Sequence, residues 1–148
     1  MNGIKIYTIG FTKTSAKEFF GKLIKAGVRK IVDARLNNSS QLAGFTKKDD
    51  LKYFLQAIGN IEYVHMPLLA PSEEILAEYK KKKGDWPTYE KKFLALMEER
   101  RIENLVSPDE LDRTCLLCSE HLPKHCHRRL AAEYLKNKWG NVEIEHLV

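Results

Sequence analysis

The sequence lacks several features that mark particular classes of protein. None of its apolar runs approaches the length that spans a bilayer, and its first residues, MNGIKIYTIG, lack the charged-then-apolar layout of a signal peptide. We therefore expect a cytoplasmic protein without a membrane partner. The chain has only three cysteines, and an odd number without an export signal argues against a complete disulfide framework. Reduced thiols are the expected state.

The composition is that of an ordinary globular domain. A length of 148 residues fits one domain spanning residues 1–148, and hydrophobic residues at 43% with charged residues at 30% favour neither a disordered nor a fibrous class. The net charge of +5 is compatible with a small anionic ligand, a nucleotide or nucleic acid as the partner. Many basic proteins gain only solubility from such a charge, so it does not select among these partners.

Predicted strands and helices alternate along the chain. Short apolar runs predict strands near residues 4–10, 28–34, 61–69, 114–118 and 142–148. Apolar residues at helical spacing lie between them, and Ser15 and Gly27 bound the first predicted helix. This alternation predicts a single-domain α/β fold with a mainly parallel sheet of about five strands and helices on both faces, a Rossmann-like three-layer arrangement.

Glycine and polar residues lie at, near or just after the carboxyl ends of four of the predicted strands. They are Gly10 and Thr12, Asp33 and Arg35, His65, and the segment CSEHLPKHCHRR at residues 118–129. The carboxyl ends of parallel strands lie at one edge of a sheet, where ligands bind in open α/β folds. We therefore expect these groups to meet in one pocket, with Arg35 and Arg128 available to an anionic substrate.

The segment CSEHLPKHCHRR favours cysteine chemistry. Cys118 is predicted where a strand gives way to a loop and then a helix, which is the position of the nucleophile in rhodaneses and cysteine phosphatases. Cys126 and His127 follow near the start of that helix, and Glu120 is either a general base or a helix cap. No glycine lies between Cys118 and Arg128, which argues against a tight phosphatase-type loop. A buried structural thiol is the alternative.

Zinc binding is a further interpretation of the same segment. Cys118, His121 and Cys126 supply the ligand types that zinc prefers. If a helix begins near Pro123, Cys126 lies in its first turn, and its side chain leaves the helix about 100 degrees from that of His127. This angle argues against one ion shared by both. The sequence thus predicts no cofactor, with a transition metal such as zinc as the alternative.

Asp33 and Arg35 carry opposite charges two residues apart and have two interpretations. Because residues two apart on a strand point to the same face, Arg35 could hold an anion while Asp33 orients a histidine. The alternative is a buried ion pair without a catalytic role. Arg128 likewise either pairs with Asp33 or clamps an anion.

Several motifs resemble the family described as domain of unknown function 488. They are YTIGFT, DAR, YVHMPLL, AEYKKKKGDWPTYEKKF and LLCSEHLPKHCHRRLAAEYL, which together span nearly the whole chain. The resemblance implies an α/β domain and does not imply a particular reaction. It points to Asp33, Arg35, His65, Cys118, Glu120, Pro123, Cys126, His127 and Arg128. The family pattern has a histidine where this chain has Phe11, and a proline and a later arginine where this chain has LNNSSQ.

Two classes of function follow. The first is a small enzyme, a cysteine-dependent transferase or hydrolase that acts on a nucleotide or a nucleic-acid-type anion. The second is a nucleotide- or nucleic-acid-binding module whose Cys/His cluster binds a metal or is purely structural. Thiol reactivity and metal content distinguish the two classes.

Overall fold

Five strands form one sheet in the computed structural model, which describes residues 3–12, 14–36, 45, 47–81, 85–118 and 126–148. The strands are β1 (Ile4–Gly10), β2 (Lys30–Asp33), β3 (Glu62–His65), β4 (Thr114–Cys118) and β5 (Val142–Leu147). They lie in the order β3-β2-β4-β1-β5, and each neighbouring pair is parallel. The predicted parallel sheet of about five strands is therefore confirmed.

Helices cover both faces of the sheet. In the described part of the chain they are α1 (Ala16–Ala26), α2 (Lys48–Gly59), α3 (Glu73–Lys81), α4 (Trp86–Arg100), α5 (Ile102–Leu105), α6 (Pro108–Leu111) and α7 (His127–Trp139). The helices α1 and α2 pack on one face, whereas α4 to α7 pack on the other. This is the predicted three-layer arrangement. None of the described helices is both long and apolar enough to cross a membrane.

The first helix begins and ends where the sequence predicts. The Ser15 hydroxyl accepts a hydrogen bond from the backbone N–H of Glu18, and the Glu18 carboxylate completes a capping box. Gly27 ends α1 in the left-handed region, with a φ of 77° that favours glycine. These caps fix the length of α1 and hence its position against the sheet.

The central strand β4 is apolar on both sides. All of its residues, TCLLC, are buried, as expected for a parallel strand covered on both faces. Alternate side chains point to opposite faces: Leu116 packs in the core that contains α7, whereas Cys115 and Leu117 pack in the core that contains α1. Cys118 therefore points to the same face as Leu116 and faces α7.

The third strand is shorter than the predicted segment 61–69. In the structure β3 ends at His65, and a 3-10 helix occupies Pro67–Leu69. Pro67 lacks a backbone N–H and cannot continue a ladder of strand hydrogen bonds, which agrees with the position of β3 at the edge of the sheet. The early end leaves His65 at the carboxyl edge of the sheet.

Candidate active site

The carboxyl edge of the sheet gathers residues that the sequence places in a site. Gly10, Asp33, His65 and Cys118 are the last residues of β1, β2, β3 and β4. Because all four strands are parallel, these residues share one edge, where Asp33 lies beside His65 and Gly10 beside Cys118 in the strand register. Thr12 follows as an exposed residue of the turn after β1. The predicted convergence of the strand ends is thus present in the fold.

Asp33 and Arg35 form a buried ion pair at the end of β2. The guanidinium of Arg35 donates from Nε and Nη2 to the two carboxylate oxygens of Asp33, each at 2.9 Å. The backbone N–H of Arg35 and the hydroxyl of Tyr63 donate to the same carboxylate. Asp33 is fully buried and Arg35 is 5% exposed. These contacts match the ion-pair interpretation of the two residues.

The surroundings of Arg35 hold its side chain inside the protein. Its guanidinium carbon lies 5.4 Å from the centre of the Phe11 ring. His65 Nε2 donates to the backbone carbonyl oxygen of Arg35 at 2.7 Å. An anion-binding role for Arg35 stays a prediction. It would require the guanidinium to donate a hydrogen bond to the anion in addition to those it donates to Asp33.

A disulfide joins Cys118 to Cys126, with their Cα atoms 7.5 Å apart. The sequence predicts reduced thiols, and for this pair the structure corrects that prediction. The reason is tertiary: the end of β4 and the residue before α7 converge, although eight positions separate them in the chain. Cys115 is the free cysteine, and burial raises the pKa of its thiol. It lies on the opposite face of β4 from Cys118.

Cys126 precedes helix α7 and does not lie inside it. It is the N-cap, with an extended backbone and no hydrogen bond from its side chain to the helix N–H groups. The prediction that Cys126 lies in the first helical turn is therefore wrong, because α7 begins at His127 and not near Pro123. Glu120, His121 and Pro123 lie outside the described residues.

Arg128 brings a positive charge to Cys118. Its side chain is completely buried, and Nη1 donates to Cys118 Sγ at 3.1 Å. It lies in the first turn of α7, where the N-terminal N–H groups add positive potential. Because a buried guanidinium favours a nearby anion, Arg128 would stabilise a thiolate at Cys118 once the disulfide is reduced.

His127 connects the cysteine pair to the end of β2. Its Nε2 atom lies 2.7 Å from the carbonyl oxygen of Ala34, and since a carbonyl only accepts, Nε2 carries the proton. Burial is the main cause that lowers the pKa of His127 to about 4, with a further contribution from Arg128, against the opposing effects of the Ala34 carbonyl and Asp33. The ring is therefore neutral at pH 7, and its Nδ1 atom keeps a lone pair.

The pKa of His127 predicts a loss of stability in mild acid. Between pH 6.5 and 4 the unfolded chain binds a proton at this histidine that the folded protein does not bind, so the free energy of unfolding falls as the pH falls. The expected loss is at most about 3 kcal/mol. Urea denaturation of the parent and of His127→Gln across this range measures it. The variant should have a shallower pH slope, and an equal slope in both proteins would contradict the assignment.

A metal ion also fits the geometry of this cluster. One ligand atom from each of Cys118, Cys126 and His127 lies within 4.8 Å of the others, a sulfur and nitrogen set that suits zinc. The angle of about 100 degrees between adjacent side chains on a helix, which argues against one ion shared by Cys126 and His127, does not apply because Cys126 is not helical. The predicted third ligand, His121, lies outside the described residues. Both sulfurs would have to be reduced thiolates to bind.

Tyr63 is a site residue that the sequence does not reveal. Its hydroxyl donates to Asp33, and it lies two residues before His65 on β3. Alternation along the strand puts Tyr63 and His65 on one face, which was a usable signal. Its partner depends on the parallel register of β2 with β3, however, and the sequence does not supply that register.

Comparison with protein families gives a match over most of the chain. The family model described as Domain of unknown function DUF488 matches residues 15–135, which is most of the chain. The matched range includes the Asp33–Arg35 ion pair and the cluster of Cys118, Cys126 and His127. A comparison with curated proteins found no match, and a comparison with solved structures found none either. On its sequence match the chain belongs to the DUF488 family.

Proposed function

We propose that the protein is a cysteine-dependent enzyme that acts on an anionic substrate of the nucleotide or nucleic-acid type. The contact between Arg128 Nη1 and Cys118 Sγ carries the proposal. The thiolate is the reactive form of cysteine, and a buried cation beside the sulfur favours that form. Transfer or hydrolysis through a covalent bond to Cys118 is the reaction class that follows.

His127 provides a group that can move protons in this reaction. Its ring is neutral at pH 7, and the hydrogen bond from Nε2 to Ala34 leaves Nδ1 as a proton acceptor. One ring nitrogen lies within 4.8 Å of both sulfur atoms. In the proposed reaction the imidazole, directly or through one bridging water, takes a proton from the thiol of Cys118 or from a water that attacks a covalent intermediate.

Arg128 is the cation that supports an anionic substrate. The charges of Asp33 and Arg35 oppose one another within their ion pair, so that pair adds little net charge. The planar guanidinium of Arg128 matches carboxylate and phosphate oxygens, and the net charge of +5 favours the approach of anions. A substrate that binds here would share Arg128 with the Cys118 thiolate.

The reduced protein is the active form in this proposal. With the disulfide in place, Cys118 is 1% exposed and Cys126 is 3% exposed, and neither sulfur is a nucleophile. Reduction breaks the bond between them and frees the thiolate. Substrate must then reach the sulfur of Cys118 at the end of β4. An experiment therefore has to measure whether a small reagent reaches this sulfur.

Alkylation with iodoacetamide tests the proposed nucleophile. After reduction and removal of the reductant, Cys118 is expected to react at neutral pH at least about tenfold faster than Cys115, whose raised pKa keeps it protonated. Inorganic phosphate or a nucleoside monophosphate should slow the reaction at Cys118. Mass mapping of the labelled peptides identifies the site. Equally slow labelling of all three cysteines would contradict the proposal.

The cluster of Cys118, Cys126 and His127 favours a second candidate, a binding module that holds zinc. This candidate predicts one zinc ion per chain after purification under reducing conditions without chelator. It also predicts that affinity for a nucleic acid falls steeply as salt increases. Elemental analysis tests whether the module holds zinc. A folded, reduced protein that contains no zinc would contradict this candidate.

A further inference from the structure

We propose that Cys118 and Cys126 form a reversible redox pair, in which a hydroperoxide oxidises Cys118 and Cys126 captures the product as a disulfide. The inference deepens the proposed function and rests on it, because it requires the same reactive thiolate at Cys118. The disulfide between these two residues carries it. It assigns Cys126 the role of resolving cysteine and gives the enzyme an inactive oxidised state.

The two sulfurs belong to different elements of the fold. Cys118 ends the fully buried central strand β4, which pairs with β1 and β2. Cys126 lies just before α7, and its side chain makes no capping hydrogen bond that a change of redox state would have to break. A change of redox state at Cys126 therefore breaks no side-chain cap of α7.

Cys118 is the sulfur that meets the oxidant. The guanidinium of Arg128 donates to Cys118 Sγ and favours its thiolate, and thiolates are the species that peroxides oxidise. The third cysteine cannot take part, because Cys115 is buried on the opposite face of β4. The roles of the three cysteines therefore differ: Cys118 reacts, Cys126 resolves and Cys115 is a core residue.

The chemistry balances in two steps. The Cys118 thiolate attacks the hydroperoxide, a sulfur–oxygen bond forms, the oxygen–oxygen bond breaks, and an alkoxide or hydroxide leaves and takes a proton. The thiol of Cys126 then attacks the sulfur of the sulfenic acid. The disulfide forms, the sulfur–oxygen bond breaks, and hydroxide leaves with the thiol proton as water. A small dithiol returns both residues to thiols and is itself oxidised to a disulfide.

This pairing would protect the nucleophile as well as stop catalysis. A sulfenic acid that meets more peroxide proceeds to sulfinic acid, which is not readily reversed, whereas a disulfide is reversed by a thiol. Disulfide formation with Cys126 therefore keeps the oxidation of Cys118 reversible. The oxidised protein should lose alkylation at Cys118 and recover it after reduction.

The test uses the full chain and hydrogen peroxide. Reduced protein should show three thiols in denaturant, and brief treatment with peroxide should leave one, because two of the three cysteines join. Dithiothreitol should restore all three, together with alkylation at Cys118. Peptide mapping should find the bond between Cys118 and Cys126. A thiol count that stays at three, or a bond that dithiothreitol does not open in the folded protein, would overturn the inference.

Cys126→Ser separates a resolving cysteine from a structural one. In this variant peroxide should give a sulfenic acid at Cys118 that dimedone traps, and excess peroxide should convert it to sulfinic acid. Cys115→Ala is the matched control and should behave as the parent protein. If Cys126→Ser unfolds, Cys126→Ala is used in the same assay. A variant that only loses stability, with no dimedone adduct at Cys118, would support a purely structural link and reject the inference.

The two proposals fail in different ways. Fast alkylation at Cys118 with no disulfide after peroxide would reject the redox pair and leave the cysteine-dependent enzyme standing. Alkylation at Cys118 as slow as at Cys115 would reject the enzyme, and the redox pair would fall with it. Fast alkylation together with a peroxide-dependent, dithiol-reversible bond supports both.

Discussion

Replacing Asp33 with asparagine is expected to lower the free energy of unfolding by about 3–5 kcal/mol, the usual cost when one partner of a buried ion pair is removed. The substitution leaves the guanidinium of Arg35 buried, with only 5% exposure, and without its charged partner. It also weakens the acceptor for Tyr63. Urea denaturation, followed by circular dichroism, measures the change.

Two further variants show whether the effect belongs to the buried pair. Glu145→Gln removes a carboxylate that pairs with Lys5 at 2.8 Å on the surface, and it should cost no more than about 1 kcal/mol. The double variant Asp33→Asn with Arg35→Met leaves no buried charge and should recover part of the lost stability. Equal costs for Asp33→Asn and Glu145→Gln would show that the ion pair contributes little.

Arg128→Met is expected to slow alkylation of Cys118 in the reduced protein by about 10- to 100-fold at neutral pH. A hydrogen bond to a charged group contributes about 1.5–3 kcal/mol, and about 1.4 kcal/mol corresponds to a factor of ten. Methionine fills much of the buried volume without the charge or the donor to Cys118 Sγ. The rate of iodoacetamide labelling as a function of pH measures the effect, and the midpoint should move to higher pH.

Arg129→Met is the matched control for Arg128→Met. It removes the same charge from the next residue, but Arg129 pairs with Glu133 at 3.0 Å and with Glu90 at 3.8 Å on a partly exposed side of α7. Alkylation at Cys118 should change little. If Arg128→Met does not fold, Arg128→Lys replaces it, because lysine keeps the charge with a different donor geometry. Its alkylation rate at Cys118 should lie between that of the parent protein and the rate expected for Arg128→Met. Equal rates in Arg128→Met and Arg129→Met would remove Arg128 from the proposed site.

Local signals account for the parts of the fold that the sequence predicts correctly. The capping box at Ser15 and the positive φ of Gly27 depend on neighbouring residues only, and so does the apolar run of β4. The early end of β3 also follows from one residue, since Pro67 has no N–H. The strand order and the parallel register do not follow from such signals, because they depend on which elements pack together.

The candidate site was predicted in outline. Asp33, His65 and Cys118 end three neighbouring strands, although the third strand was predicted to continue to residue 69. Their partners were not predictable in the same way. The hydroxyl of Tyr63 reaches Asp33 from 30 positions away, and His127 bonds the carbonyl of Ala34 from 93 positions away.

The sequence by itself determined the α/β class, the approximate positions of the strands and the set of candidate site residues, because hydrophobic period and caps are local properties of the chain. Only the tertiary structure decided which of those side chains contact one another. It paired Arg35 with Asp33, left Arg128 beside Cys118, and brought Cys126 to the same sulfur. The reason is that burial makes each charge and thiol depend on its neighbours in space, and the sheet order that sets those neighbours is a property of the whole fold.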